Sequence, residues 1–71
     1  LEGTTKLNNN LKEFRIINKM TQEDCARKIN ISLTGFRDIE KNRSIPSVEI
    51  AIKIKRILNV KDIEDLFDID N

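Results

Sequence analysis

Two short amphipathic runs separated only by Asn30-Ile31-Ser32 constrain this chain more than any other feature. The first opens on Thr21, followed three residues later by Asp24, a capping box with the shorter Asp in place of the usual Glu, and carries Cys25, Ala26 and Ile29 on one face. Asn is the best non-Gly residue for the left-handed position that ends a helix, and Ser is a preferred N-cap for the next. The second run, Leu33 to about Glu40, places Phe36 and Ile39 at i, i+3 and closes before Asn42, again a tolerable left-handed residue. Two helices joined by so tight a turn cross steeply, and small Ala26 at the middle of the first supplies the close approach that such a crossing needs.

The rest of the chain reads as support for this pair. Seventy-one residues make one small domain, expected to bury only about 60% of its unfolded surface, so the core must be compact. From Asn8 or Asn10 the spacing Leu11, Phe14, Ile17 predicts a first helix ending near Asn18–Lys19. Ile45-Pro46-Ser47 turns the chain, Ser47 caps a further helix, and Val48, Ala51, Ile54 and Leu58 give it a buried stripe widened by Ile50 and Ile57. After Asn59-Val60-Lys61, Asp62 is placed to cap a short last helix with Ile63, Leu66 and Phe67. Ile50, Ile52 and Ile54 come closest to a strand pattern, but the helical period accounts for more residues and no strand is expected. The expected fold is therefore all-α, a five-helix bundle over residues 8–69. Residues 1–7, without periodicity or an initiator Met, read as a flexible tail or an expression remnant, consistent with excision from something longer.

Composition removes several functions. There is no His and one Cys, so neither a Cys/His zinc site, nor a His-based catalytic pair, nor an intrachain disulfide can be assembled. No nucleophile and base pair, phosphate loop or metal spacing is present, so no catalysis and no cofactor are expected. No apolar run approaches a membrane span, and the first residues lack the pattern of a signal peptide, so the expected location is cytoplasmic, on the nucleoid, away from membranes. The net charge is only +1, but it is divided: residues 10–43 carry eight Lys/Arg against five Asp/Glu, and residues 44–71 carry four against six. One end is mildly basic and the other acidic.

From Met20-Thr-Gln-Glu-Asp-Cys-Ala-Arg-Lys-Ile-Asn-Ile-Ser through Phe36, Ile39-Glu40 and Pro46-Ser47 the chain resembles the phage repressor and Cro (Xre-like) family. The likeness continues in Leu11-Lys12-Glu13-Phe14-Arg15, Ala51-Ile52-Lys53-Ile54 and Asp65-Leu66-Phe67, covering about residues 10–67. Asn30 and Asn42 stand where the family usually has Gly, Cys25 where it has Leu, and Leu33, Gly35 and Asp38 where polar or basic residues are common. The resemblance implies a helix-turn-helix, lambda-repressor-like domain that binds a double-stranded DNA operator as a regulator of transcription, typically a repressor. It implies phosphate contacts from Gln22 and Ser32 at helix starts, where free amides favour anions.

The third helix would enter the major groove, whose base edges differ for every pair. Base contact then falls to Leu33, Thr34, Arg37 and Asp38: Arg37 to guanine, Asp38 to cytosine, Leu33 or Thr34 to a thymine methyl. Arg15, Lys41 and Arg43 add charge toward the phosphates. Alternatives stay open: Leu33 can pack inward with Phe36 and Ile39, Asp38 can pair with a neighbouring cation, and Arg37 can hold a phosphate. Gly35 reads either as a close approach to the DNA backbone or as a tolerated defect, and Cys25 as a buried small hydrophobe rather than a redox sensor. The acidic residues Asp62, Glu64, Asp65, Asp68 and Asp70 form a solvated tail rather than a metal site. Ile63, Leu66, Phe67 and Ile69 are too many apolar side chains for the end of so small a domain, and are expected to form a homodimer surface. The rival reading is an antitoxin-like module whose acidic end binds a toxin or other protein.

Overall fold

Thr21, Ser32 and Ser47 each stand in extended backbone and accept a hydrogen bond from the amide three residues on: Thr21 Oγ1 from Asp24 N at 2.9 Å, Ser32 Oγ from Gly35 N at 2.9 Å, Ser47 Oγ from Ile50 N at 3.2 Å. These caps open three helices in a computed structural model that describes the backbone of residues 6–70 and the side chains of residues 9–67. The order is β1 (Lys6–Asn9), α1 (Leu11–Ile17), α2 (Gln22–Lys28), α3 (Leu33–Glu40), α4 (Val48–Ile57), α5 (Ile63–Leu66) and β2 (Phe67–Asp70). The bundle is all-α with a helix-turn-helix formed by α2 and α3, as the punctuation at residues 30–32 requires.

The first four helices end in one way. Lys19, Asn30, Asn42 and Asn59 take φ of 57°, 61°, 62° and 56°, and each donates its amide to the carbonyl three residues back. The residue after each, Met20, Ile31, Arg43 and Val60, donates to the carbonyl five residues back, the Schellman pattern that satisfies the last turn. Asn tolerates the left-handed region; Lys19 does so against its own preference, at about 1–2 kcal/mol. Met20, Ile31 and Val60 follow the rule that an apolar side chain at this place folds back on the helix, and all three pack into or against the core. Arg43 breaks the rule and is exposed.

The core gathers Leu11, Cys25, Ala26, Ile29, Phe36, Ile39, Ile54, Leu58, Val60 and Leu66 around the crossing of α2 and α3. Three expected members are outside it: half-buried Ala51 and two side chains that are exposed. Ile17 is 71% exposed and Val48 is 77% exposed, for one reason: each was reached by two steps of three residues, and six residues at 3.6 per turn rotate about 240° round a helix. The inner face of α1 runs instead through Leu11, Phe14, Arg15 and Asn18, and that of α4 through Ile50, Ile54, Ile57 and Leu58. The α1 face is thus half polar, and its polar members are hydrogen-bonded: Asn18 Nδ2 donates to the carbonyls of Phe14 at 2.8 Å and Leu58 at 2.9 Å.

Against the expectation of no strand, β1 and β2 pair antiparallel, with Leu7 opposite Ile69 and Asn9 opposite Phe67. Four residues are too few for a period to show, and the pairing joins segments some sixty residues apart in sequence. The tail expected over residues 1–7 lies outside the described residues as far as residue 5, while Lys6 and Leu7 belong to β1. Asn10 N donates to the Leu66 carbonyl at 2.8 Å and Asn10 Nδ2 to that of Asp65 at 3.0 Å, so the start of α1 is fastened to α5.

Candidate nucleic-acid interface

The Ser32 cap and the Schellman turn after α3 fix both ends of the helix that carries the candidate base contacts. Thr34 and Arg37 are exposed and one turn apart, while Leu33 and Asp38 are half-buried flanks. Leu33 is not among the side chains packed against the core. Asp38 enters no ion pair among the described residues, and its carbonyl accepts from the amides of Arg43 at 2.8 Å and Ser44 at 3.2 Å, shaping the turn after α3. Lys41 and Arg43 are exposed on that turn. Asn9, to which sequence reasoning gave no role, braces it: Nδ2 donates to the Ile39 carbonyl at 2.8 Å and to Asn42 Oδ1 at 2.6 Å. At Gly35 a Cβ would sit 3.1 Å from Ser32 Oγ, so a larger residue there would crowd the atom that caps α3.

Arg15 corrects the sequence reading. Its side chain is 13% exposed, and its guanidinium donates from Nε to Glu40 Oε1 at 2.9 Å, from Nη2 to Glu40 Oε2 at 3.2 Å and from Nη1 to the Met20 carbonyl at 3.0 Å. A group so engaged holds α1 to α3 and is not the free surface cation foreseen. Glu40, at 7% side-chain exposure, was missed altogether. The signal was available: Arg15 lies four residues after Leu11, on the helix face turned inward, where a charge needs a partner.

Glu40 Oε2 also accepts from Gln22 Nε2 at 3.0 Å, and Gln22 Oε1 accepts from Arg37 Nε at 3.2 Å. Gln22 is half-buried at the first turn of α2, so a continuous chain of polar contacts runs from inside α1, across α3 and α2, to the outward face of α3. Nearby, the backbone amide and then the hydroxyl of Thr21 hold the Asp24 carboxyl below its usual 3.8, with Arg27 adding a smaller pull. Burial pushes the Cys25 thiol above its usual 9.0, so it stays neutral in the core.

The second candidate surface is redrawn. Leu66 is 0% exposed and completes the core, so it offers no surface to a partner. Ile63 and Phe67 are half-buried, and the side chain of Ile69 lies outside the described residues. Ile63 instead joins Val48, Ala51 and Ile52 along a groove of about 590 Å³ between α4 and α5, edged by Lys55, Arg56, Lys61 and Asp62. Among the described residues no cluster of His, Cys, Asp and Glu is arranged to hold a metal, and no helix is long and apolar enough to cross a membrane.

Comparison with known proteins agrees with this geometry. A family described as helix-turn-helix matches residues 11–66, from the first turn of α1 to the end of α5. An uncharacterized HTH-type transcriptional regulator of Methanocaldococcus jannaschii is 41% identical over 61 residues, 86% of this chain and 91% of its own length. A regulator of the same description from Archaeoglobus fulgidus is 40% identical over 60 residues, 84% of this chain and 83% of its own. Multiprotein-bridging factor 1 of Saccharomyces cerevisiae is 44% identical over 43 residues, 61% of this chain but 28% of that protein. With a matched family model spanning all five helices and two archaeal relatives aligned over more than four fifths of their length, the chain belongs to the helix-turn-helix family of Xre/Cro-type transcriptional regulators, non-catalytic DNA-binding proteins.

Proposed function

We propose that this protein is a sequence-specific repressor that sets α3 in the major groove of double-stranded DNA. The observation that carries the reading is the outward face of α3: Thr34 and Arg37 are exposed one turn apart, framed by the Ser32 cap at one end and by Lys41 and Arg43 at the other. Thr34 and Arg37 read bases, with Leu33 and Asp38 at the edge of the contact, while Gln22, Ser32, Lys41 and Arg43 hold phosphates. The Ser32 hydroxyl accepts from Gly35 N and keeps its own hydrogen for a phosphate oxygen. Arg43 supports the assignment independently, being the one charged residue at a place where three sibling turns carry an apolar one.

The protein acts as a homodimer through the groove between α4 and α5. Exposed Val48 and Ile52 give it an apolar floor, and its edge carries Lys55, Arg56 and Lys61 together with the carboxylate Asp62, so a two-fold axis across the groove brings charges of both signs together. Two recognition helices about 34 Å apart then meet one face of the duplex, and occupation of such an operator blocks transcription. Selection from a randomised duplex library at about 0.15 M salt, where loose electrostatic binding is largely screened, tests the whole reading. An inverted repeat with half-sites about one helical turn apart is the expected product. Enrichment of nothing overturns DNA recognition and turns the search to a toxin or other protein on the same groove.

A further inference from the structure

We infer that Glu40 is a positioning residue for base recognition, acting through Gln22 on the guanidinium of Arg37. The inference rests on the reading of Arg37 as a base contact and adds to it what aims that side chain. The argument is one of donors and acceptors. A Gln side chain has one acceptor end and one donor end, and Gln22 is held between a carboxylate, which only accepts, and a guanidinium, which only donates. The amide must therefore turn Nε2 to Glu40 Oε2, at 3.0 Å, and Oε1 to Arg37 Nε, at 3.2 Å. The opposite orientation sets oxygen against oxygen and donor against donor.

The carboxylate that dictates this orientation cannot itself turn. Both of its oxygens are gripped by Arg15, and the pair is nearly buried between α1 and α3. Rigidity thus passes outward from the interior: Arg15 fixes Glu40, Glu40 fixes the Gln22 amide, and the amide fixes Arg37 by its Nε. With Nε engaged, the two Nη groups remain as an end-on fork, which matches the paired N7 and O6 acceptors of guanine in the major groove. An exposed Arg that is free to rotate reaches bases and phosphates alike; one pinned at Nε has its fork aimed before DNA arrives, and less freedom is lost on binding.

The test repeats the randomised-duplex selection with five proteins: the wild type, Arg37→Ala, Glu40→Gln, Gln22→Met and the exchange Gln22→Glu/Glu40→Gln. The wild type is expected to prefer guanine about 10- to 100-fold at the position that Arg37→Ala relaxes. In Glu40→Gln the amide at residue 22 loses its orienting carboxylate, and the preference at that one position should fall to about threefold or less while the other positions keep theirs. The exchange variant puts a carboxylate against Arg37 Nε and an amide between it and Arg15, so it should restore the guanine preference even though its added charge near the phosphates weakens binding overall. Gln22→Met keeps the apolar stem without either polar end, leaves the ion pair intact, and should lose the guanine preference, beyond a uniform weakening from its lost phosphate contact, with little change in melting temperature; it decides the matter if Glu40→Gln does not fold. Retained guanine preference in Gln22→Met, or a uniform loss at all positions in Glu40→Gln, makes the chain of contacts purely structural and overturns the inference while leaving Arg37 a base contact. An unchanged pattern in Arg37→Ala overturns the base-contact reading, and the inference with it.

Discussion

Asn18 Nδ2 donates to the Leu58 carbonyl at 2.9 Å, and so closes the end of α1 onto the end of α4, forty residues away. The same amide donates to the Phe14 carbonyl, and its Oδ1 accepts from Asn59 Nδ2 at 3.2 Å. Asn18→Leu keeps the size but leaves the Leu58 carbonyl and the Asn59 amide without this partner, and is expected to destabilise the fold by about 1–3 kcal/mol. Urea unfolding should show a lower midpoint with an unchanged slope; a midpoint equal to wild type would mean that water replaces the clasp without loss.

The Arg15–Glu40 pair makes a sharper prediction, because only one partner need be removed to strand the other. Arg15→Met leaves a carboxylate of 7% side-chain exposure with Gln22 as its remaining side-chain donor, and should cost about 3–5 kcal/mol. Removing both charges in Arg15→Met/Glu40→Met should cost markedly less than the single change, since no buried charge is then unpaired. Thermal unfolding of the two variants checks the order, and a double variant weaker than the single one would show that the stranded Glu40 carboxylate is not the source of the cost.

What was legible in the sequence was local. Thr21, Ser32 and Ser47 act on amides three residues away and Asn30 and Asn42 act on their own backbone, so single short windows contain the whole cause. The mistakes arose where a cause lies elsewhere in the chain. The inward place of Arg15 follows from its spacing to Leu11, but which residue it pairs with does not, since Glu40 is twenty-five residues distant, and Leu66 looked surplus because nothing near it reveals that it completes the core. Ile17 and Val48 are a different failure, one of stepping by threes along a helix with 3.6 residues per turn. The outward face of α3 was readable because Thr34 and Arg37 fall away from Phe36 and Ile39; how Gln22 and Glu40 connect to it was not, since three helices must assemble first.

The capping box at the start of α2 should be visible in titration. The backbone amide and hydroxyl of Thr21 hold the Asp24 carboxyl below its usual 3.8. A depressed native value means that the box stabilises the fold at pH above the unfolded value and that its contribution is lost as pH falls through the native one. Thr21→Ala removes the hydroxyl and should raise the Asp24 midpoint toward 3.8 and cost about 0.5–2 kcal/mol at neutral pH. Arg27→Ala should move the midpoint less; NMR titration of the Asp24 carboxyl distinguishes the two, and a larger effect from Arg27 would make the ion pair rather than the cap the cause.

Cys25 is 0% exposed and its thiol is pushed above the usual 9.0 by burial. Its contribution to stability is therefore full below that value and declines as pH rises, because the unfolded chain ionises while the native thiol does not. Alkylation by a small maleimide should be negligible in the native state and complete in denaturant, at a native rate that follows opening of the fold. The fall in stability between about pH 8 and 10 should be shallower in Cys25→Ala than in wild type, whatever the offset from the smaller side chain. Parallel slopes would show that the thiol ionises equally in both states.

Ile52 lies on the floor of the groove between α4 and α5 and is 41% exposed, so it contributes little to the core of a single chain. On the homodimer proposed above, a charge placed there faces its own symmetry mate across the two-fold axis, and two like charges forced together in an apolar seam oppose association strongly. Ile52→Glu is therefore expected to change monomer stability by no more than about 0.5 kcal/mol, the usual range for a surface position, while shifting sedimentation from dimer to monomer. On DNA the same variant should protect a single half-site, and its affinity should respond about half as steeply to salt as that of wild type, since each protomer carries its own set of phosphate contacts. A variant that remains dimeric would move the interface to another face; a wild type that is monomeric at every concentration would leave the groove to a different protein and make a lone α3 the reader of the site.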